Sequence, residues 1–566
     1  VTATLTPEKR PTPPAPTVGP RTTLAPPSRN TVTAAVLLFG LLAFSLWSLG
    51  EMDLRIDFTY ALSFLERTVP FVWPSVPEAL WYSTLTLAIV ISGTVMAAVL
   101  SIPVAYLAAN NTTPAQSTRW LGRFLSVTSR AAPDAIMAMI FALVIGQGAL
   151  AGVLALGLHS IGMISKLTAD AIEQIDEGPR LALRAAGATR SQEFWGAVWP
   201  QIMPSYIATV LHRTDINLRV SVILGFVGVS GLGYELSHAL NTLNYREAMP
   251  WAIIIFALCV GFEVISSVVR KTLLGVQPTG RSLGDRIVRR ATRGLADGQK
   301  PAAGAAVSRI RPWSGERVKT TSFAWIAIVA IVASVIISAT QGSNFTNFWL
   351  NASIAFNRLW PPALDESKWE TTAEKLFETV QIAGAATLIA LLASAVIGSF
   401  AARNVAPNPA VRGGFRFLLV VIRGLPELLL CIFFIILTGL GPGVAVIALG
   451  IGGIGLLGKL MADSLEEVNP GPERALRATG ATRVQIFTSA TLPQAAPAFV
   501  GHILYLFDTN IRAATILGIV GAGGIGYMLA GAARINQHEL LVLLLCVLVI
   551  VFLVEALSSF IRQLIK

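Results

Sequence analysis

The sequence predicts an all-α polytopic membrane protein built from two tandem copies of one helical bundle, about 12 transmembrane helices in all. Three observations carry that expectation. Of 566 residues, 54% are hydrophobic and only 13% charged, with a mean hydropathy of +0.65, whereas charged residues make up about a quarter of a soluble domain. Apolar runs near the ~20 residues needed to cross a ~30 Å hydrocarbon core as a helix recur along the chain. A polar stretch is also written twice. Ala182-Leu-Arg-Ala-Ala-Gly187-Ala-Thr-Arg190 returns as Ala475-Leu-Arg-Ala-Thr-Gly480-Ala-Thr-Arg483. Lys166/Lys459, Asp170/Asp463, Pro200/Pro493, Asp215/Asp508, Arg219/Arg512 and Gly233/Gly526 keep the same offset of 293 residues.

Residues 1–30, rich in Pro and Thr and holding Lys9, Arg10, Arg21 and Arg29, predict a disordered cytoplasmic tail. The apolar run 32–50 lacks a small-residue cleavage pattern, so it reads as the first membrane helix of a unit over 31–272 and not as a removed signal. Further spans fall near 80–108, 131–147, 149–166, 205–228 and 250–270, with Gly146 and Gly148 marking the turn between the third and fourth. The segment 273–320, punctuated by Gly and Pro and carrying Arg281, Arg286, Arg289, Arg290 and Arg293, reads as a basic cytoplasmic linker. A second unit, 321–566, repeats the pattern near 322–340, 373–402, 424–440, 442–460, 498–520 and 539–560, with Gly439 and Gly441 at the corresponding turn.

The basic loops agree on one side. Arg119, Arg123 and Arg130, the repeated loop, Arg403, Arg412 and Arg416, and the linker are all cytoplasmic if the chain starts inside, which leaves both termini cytoplasmic in the cell (inner) membrane. Segments 51–78 and 341–372 then face outward, where Trp47, Trp73, Trp81, Trp349, Trp360 and Trp369 suit interfacial anchors. This loop bias accounts for the net charge of +11, so the lipid bilayer is the implied partner and nucleic acid is not. Cys259, Cys431 and Cys546 lie in apolar runs without paired spacing, which argues against a disulfide frame or a metal site.

Each copy of the repeated loop has one plan. Asp176-Glu-Gly178-Pro179 and Asn469-Pro-Gly471-Pro472 stop one helix and start another, since Pro suits a first helical turn. Ala182, Arg184, Ala475 and Arg477 favour a short helix; Gly187 and Gly480 permit a sharp bend before Ala188, Arg190, Ala481 and Arg483. A second short helix is expected to Phe194 or Phe487, closed by Pro200 or Pro493. A rigid helix pair, apolar on one face and basic on the other, fits a groove on a soluble partner. The alternative is a surface helix resting on lipid headgroups, against which the fixed-register duplication argues.

This loop resembles the coupling-loop motif of ABC importer permeases: Glu-Ala-Ala, three residues, Gly, and a Leu-Pro pair farther on. Ala182 to Gly187, Ala475 to Gly480 and Leu492-Pro493 match it; Leu181 and Arg474 occupy the acidic position, with Glu473 one place earlier. Asp215-Ile-Asn217-Leu-Arg219 and Asp508-Thr-Asn510-Ile-Arg512 lead into Gly-rich tails ending at Gly233-Tyr234 and Gly526-Tyr527. Arg130-Ala-Ala-Pro133-Asp134 and Arg423-Gly-Leu-Pro426-Glu427 open the third spans. Together these are similar to the phosphonate-type (PhnE-type) permease family, which includes phosphate and phosphite importers. The resemblance implies two fused MetI-like transmembrane domains, two cytoplasmic ABC ATPase subunits docked on the loops, an extracytoplasmic substrate-binding protein, and alternating access. It also implies that ATP and Mg are bound by the ATPase, with no cofactor in this chain and no catalysis by it.

The residues agree on that last point. Gly521-Ala-Gly-Gly-Ile-Gly526 fits a dinucleotide pattern badly and follows a membrane helix, and the near-P-loop Gly453 to Lys459 ends in Leu460 where Ser or Thr would hold magnesium. Arg219 and Arg512 fall inside apolar spans, where an arginine usually faces a polar interior. Asp215 and Asp508 stand four residues before them, so the arginines either pair structurally or touch a passing oxyanion. Arg130 with Asp134 and Arg423 with Glu427 repeat that spacing near the cytoplasmic boundary, as gate residues or as ordinary positive-inside charges. A secondary transporter of about 12 spans, driven by an ion gradient, is the competing reading; such proteins normally carry ionisable relays at mid-membrane.

Overall fold

The computed structural model describes residues 29–54, 66, 68–131, 133–274, 315–341 and 348–565. Most of the expected tail (1–30) and linker (273–320) lie outside these residues. Every regular element among the described residues is a helix, as an apolar surround demands of a chain whose backbone polar groups must find partners internally.

In the first half these are α1 (Arg29–Glu51), α2 (Val76–Ala108), α3 (Gln116–Ala131), α4 (Asp134–Ile145), α5 (Ala149–Glu173), α6 (Glu177–Ala185), α7 (Arg190–Glu193), α8 (Trp199–Gly225), α9 (Leu232–Asn241) and α10 (Tyr245–Leu274). The second half has α11 (Gly315–Thr340), α12 (Phe348–Leu359), α13 (Lys368–Ala401), α14 (Pro409–Gly424), α15 (Glu427–Thr438), α16 (Pro442–Glu466), α17 (Pro470–Ala478), α18 (Arg483–Ile486), α19 (Leu492–Ile519), α20 (Gly524–Ile535) and α21 (Gln537–Ile565).

Among the described residues, seven helices are long and apolar enough to span, or up to ten if each bent helix pair is one span, beside the twelve runs the sequence marks. The physical reasons are local. The third span of each half is short and starts at a bend: α3 meets α4 at 87° across Pro133, and α14 meets α15 at 80° across Pro426. Proline cannot donate the helical hydrogen bond and biases the residue before it away from helix. The expected span 205–228 lies in α8, whose Arg213, Asp215 and Arg219 make it polar, and the described apolar part of α11 is short, Ala324–Thr340.

The centre of each half is a pair of long helices, α2 with α5 and α13 with α16, brought close by small residues. A Cβ on Gly93 would lie 3.0 Å from the Val153 carbonyl oxygen, and one on Gly398 2.8 Å from that of Gly458. Such small-residue faces replace hydrophobic driving force where lipid is as apolar as the helix. The Gly-rich tails serve the same end. Gly225 and Gly233 abut backbone to backbone, as do Gly518 and Gly526, folding α9 back onto α8 and α20 onto α19.

The leading helices are exchanged between halves. α1 packs on α13 and α21 of the second half, with Phe44 edge-on to Phe377 at 6.0 Å. In return α11 packs on α2 and α5 of the first, where Ser338 and Ser92 hydroxyls lie 3.2 Å apart.

Candidate functional site

Each repeated loop lies between a core helix and the next long one, α5 and α8 in the first half and α16 and α19 in the second. Asp176 and Asn469 cap α6 and α17 by accepting hydrogen bonds from the amides of Gly178 and Gly471 at 3.0 Å and 2.9 Å. Gly187 and Gly480 end them at φ of 83° and 81°, a left-handed conformation in which a side chain is strained although nothing lies within 4 Å. Thr189 with Gln192 and Thr482 with Gln485 then form reciprocal capping boxes for α7 and α18.

The expected closure at Pro200 and Pro493 is corrected. One π-helical turn, Phe194–Val198 or Phe487–Thr491, carries α7 into α8 and α18 into α19 without a break, and both prolines sit in the first turn of the long helix. Helical backbone therefore runs unbroken from Arg190 to Arg219 and from Arg483 to Arg512. Ala182, Ala475 and Arg477 are exposed on this surface, and Ala188 and Ala481 are half-buried beneath it.

The two loops are braced differently. Arg184 grips Glu193 through two hydrogen bonds of 3.0 and 3.1 Å, and these hold the Glu193 carboxyl below the usual glutamate range. Burial pushes the Glu177 carboxyl up, but hydrogen bonds from Asn111 and Arg180 outweigh it and leave that group lowered too. In the second loop the acid is Glu473, at the repeat position of Arg180. It is buried, accepting from Thr491 at 2.6 Å and Asn404 at 3.2 Å. Arg477 consequently has no ion pair among the described residues, whereas its counterpart Arg184 is engaged.

At the seam between halves, Arg219 donates to Asp215 at 2.8 Å and Arg512 to Asp508 at 2.7 Å, the i, i+4 pairs that the spacing predicts. Arg219 also donates to the backbone carbonyl of Arg423 at 2.8 Å and so ties α8 to α14 of the other half. Arg130 and Asp134 do not meet as a local pair, because the 87° bend falls between them. Arg130 instead pairs with Glu555 on α21, again across the seam. The corresponding bend separates Arg423 from Glu427, which lies against Gly452 of α16. Asn217 and Asn510 are buried and donate to Thr94 and Thr387, each at 2.9 Å, locking α8 to α2 and α19 to α13.

Sequence reasoning singled out Asp134 and Asn217 but missed the cluster that joins them to His159, Ser160 and Arg213. At the α3–α4 break the buried Asp134 has His159 Nδ1 3.0 Å from one oxygen and Arg213 Nη2 3.9 Å from the other. Arg213 Nε donates to Ser160 at 2.8 Å, and Ser160 to Asn217 at 3.1 Å. The second half has Gly452, Gly453 and Leu506 at the positions of His159, Ser160 and Arg213, so this polar cluster exists in one half alone. The available signal was that mismatch between copies.

Residues 101–271 and 394–566 match the family described as binding-protein-dependent transport system inner membrane component. The phosphate-import permease protein PhnE of Mycolicibacterium smegmatis is 39% identical over 480 residues, which cover 84% of this chain and 84% of that one. The phosphite transport system permease protein PtxC of Stutzerimonas stutzeri is 38% identical over 242 residues, 42% of this chain and 86% of its own. A structure of the MetNI methionine ABC transporter in an inward-facing conformation aligns with 36% of this chain and all of its own, at 20% identity and a TM-score of 0.34. With both matched segments together spanning more than half of its length, this multi-pass chain belongs to the binding-protein-dependent transport system inner membrane component family, as a PhnE-type ABC permease that carries the component twice.

Proposed function

We propose that the chain is the membrane subunit of an ATP-driven importer for a phosphorus oxyanion: phosphonate, phosphate or phosphite. On this reading two cytoplasmic ATPases dock on the two loops, an extracytoplasmic binding protein delivers substrate to the opposite face, and both termini are cytoplasmic. The observation that carries it is the duplicated loop geometry: a capped helix, a left-handed glycine, a second capped helix, and unbroken backbone into the core. Closure of the ATPases on ATP would draw α6–α7 and α17–α18 together and rock the two halves about the seam. Ala182, Arg184, Gly187, Ala188 and Arg190, with Glu473, Ala475, Arg477, Gly480, Ala481 and Arg483, are the proposed docking set.

The seam supports a pathway that holds its cargo loosely. Arg219, Arg512 and Arg130 each have a carboxylate partner already, in Asp215, Asp508 and Glu555. An oxyanion must compete with those partners, which keeps binding weak enough for release while the guanidinium fork still offers bidentate donors. Asn217, Asn510, Asp134, Arg423 and Glu427 frame the same region.

The test is uptake of radiolabelled phosphate into proteoliposomes holding the chain with its ATPase. Uptake is expected to need ATP and the binding protein. Gly187→Val with Gly480→Val is expected to abolish ATPase association, since a non-glycine residue in the left-handed region costs about 1–3 kcal/mol. Uptake on a proton or sodium gradient without ATP would instead establish a secondary transporter. Undiminished ATPase association in the double variant would remove the docking role.

A further inference from the structure

Two cavities open between the halves at the end of α8 and α19 remote from the repeated loops, one of about 340 Å³ and one of about 910 Å³. The repeat relates them. Phe226, Asn241, Ile519, Ala530 and Arg534 border both, and Tyr234 stands in the smaller where Tyr527 stands in the larger.

Their walls nonetheless differ away from the residues they share. Gln147, Ser237 and His238 line the smaller cavity, while their counterparts Leu440, Ala530 and Gly531 line the larger, together with Ile432, Ile435 and Ile436. Neither wall contains an Asp or Glu. Arg534 takes the counterpart position of Asn241, is exposed to the cavities, and makes no ion pair among the described residues. That sets it apart from Arg219, Arg512 and Arg130, each matched by a carboxylate.

The polar wall is ordered. The His238 ring lies parallel to Tyr234, 9° between planes and 6.5 Å between centroids, and Asn241 donates to Ser237 at 3.2 Å. Gln147 rests on Gly228, where a Cβ would stand 3.0 Å from its amide, so a glycine is needed for that approach. A cleft with one sign of charge concentrates counter-ions. A volume of about 340 Å³, set against ~30 Å³ for a water in the liquid, admits a tetrahedral oxyanion with part of its hydration shell.

We infer that the smaller cavity is an oxyanion-accepting vestibule, with Arg534 as its fixed cation and Gln147 and His238 as neighbouring hydrogen-bond donors. The seam is thus one-sided at its mouth: an anion enters along the first-half wall, and the larger twin, whose own side-chain donors are the Tyr245 and Tyr527 hydroxyls, lacks the amide and imidazole of Gln147 and His238. The direction of travel rests on the importer reading; anion binding at the mouth does not.

The test uses the full chain in nanodiscs, with Tyr234→Cys as a reporter and labelling of the unsubstituted chain subtracted. An anionic methanethiosulfonate is expected to label Cys at this position about tenfold faster than a cationic one. Millimolar inorganic phosphate is expected to slow that labelling, while a Tyr527→Cys reporter in the larger cavity shows no such protection. Adding Arg534→Gln should abolish both the anion preference and the protection, Arg534→Lys should retain them, and labelling by a neutral reagent should be unchanged throughout. Absence of protection at Tyr234→Cys, or equal protection at Tyr527→Cys, overturns the vestibule. Protection without ATP-driven phosphate uptake removes the importer reading and leaves the vestibule standing; uptake without protection does the reverse.

Discussion

At the scale of single residues, the seam is governed by who compensates a buried charge. Asp134 faces both His159 and Arg213 within a buried pocket, so Asp134→Asn strands a guanidinium that already leaves Nη2 without a hydrogen-bond partner. Removing one member of a buried ion pair typically costs about 3–5 kcal/mol. We expect Asp134→Asn to lower the thermal midpoint of the purified chain, with Glu427→Gln in the second half a milder change because no histidine or arginine stands at the matching positions. An equal loss from both would remove the special standing of the first-half cluster. The Arg219–Asp215 and Arg512–Asp508 pairs were legible in the sequence because i and i+4 meet on any helix. Arg130 with Glu555 was not: 425 residues separate them, and only the assembled seam brings them together.

At the scale of elements, the repeated loops were the most legible part of the chain. Caps, prolines and left-handed glycines act within a few residues, so their signals are local. The π-helical turns were not legible, since the sequence offered a proline as a stop where the chain uses it as a first turn. The same limit applies to the third spans: an apolar run betrays its length, whereas the angle across Pro133 or Pro426 depends on what each piece packs against. The brace in the first loop gives a signed pH effect. Arg184 holds Glu193 below the ordinary glutamate pKa of about 4.3, so the stabilisation is complete above that value and is lost as the pH falls through the lowered one. Glu193→Gln is expected to raise hydrogen exchange across α6 at neutral pH and leave α17 unchanged, because the second loop relies on Glu473, Thr491 and Asn404. In the unsubstituted chain the same loss should come only in acid. Equal acceleration in both loops would show that the brace is not local.

At the scale of the whole molecule, the exchange of α1 and α11 decides how the halves depend on one another. Each half completes its outer surface with a helix from its neighbour, so the covalent join is not what keeps them together. Fragments 1–294 and 295–566, produced together, should co-purify in mild detergent, and deleting 29–51 from the first should reduce recovery of the second. Recovery unaffected by that deletion would show that the seam alone is sufficient. The tandem architecture was plain in the sequence through its constant offset, but the exchange was not, because a repeat says which segments are equivalent and not which copy each one touches. This has a consequence for biosynthesis. Ser92 must wait for Ser338, 246 residues later, before its helix is covered. At about 5–20 residues per second that is roughly 12–50 s. For that interval the nascent first bundle sits in the bilayer with an open flank, which lipid or an insertion factor must shield until translation delivers the missing strut.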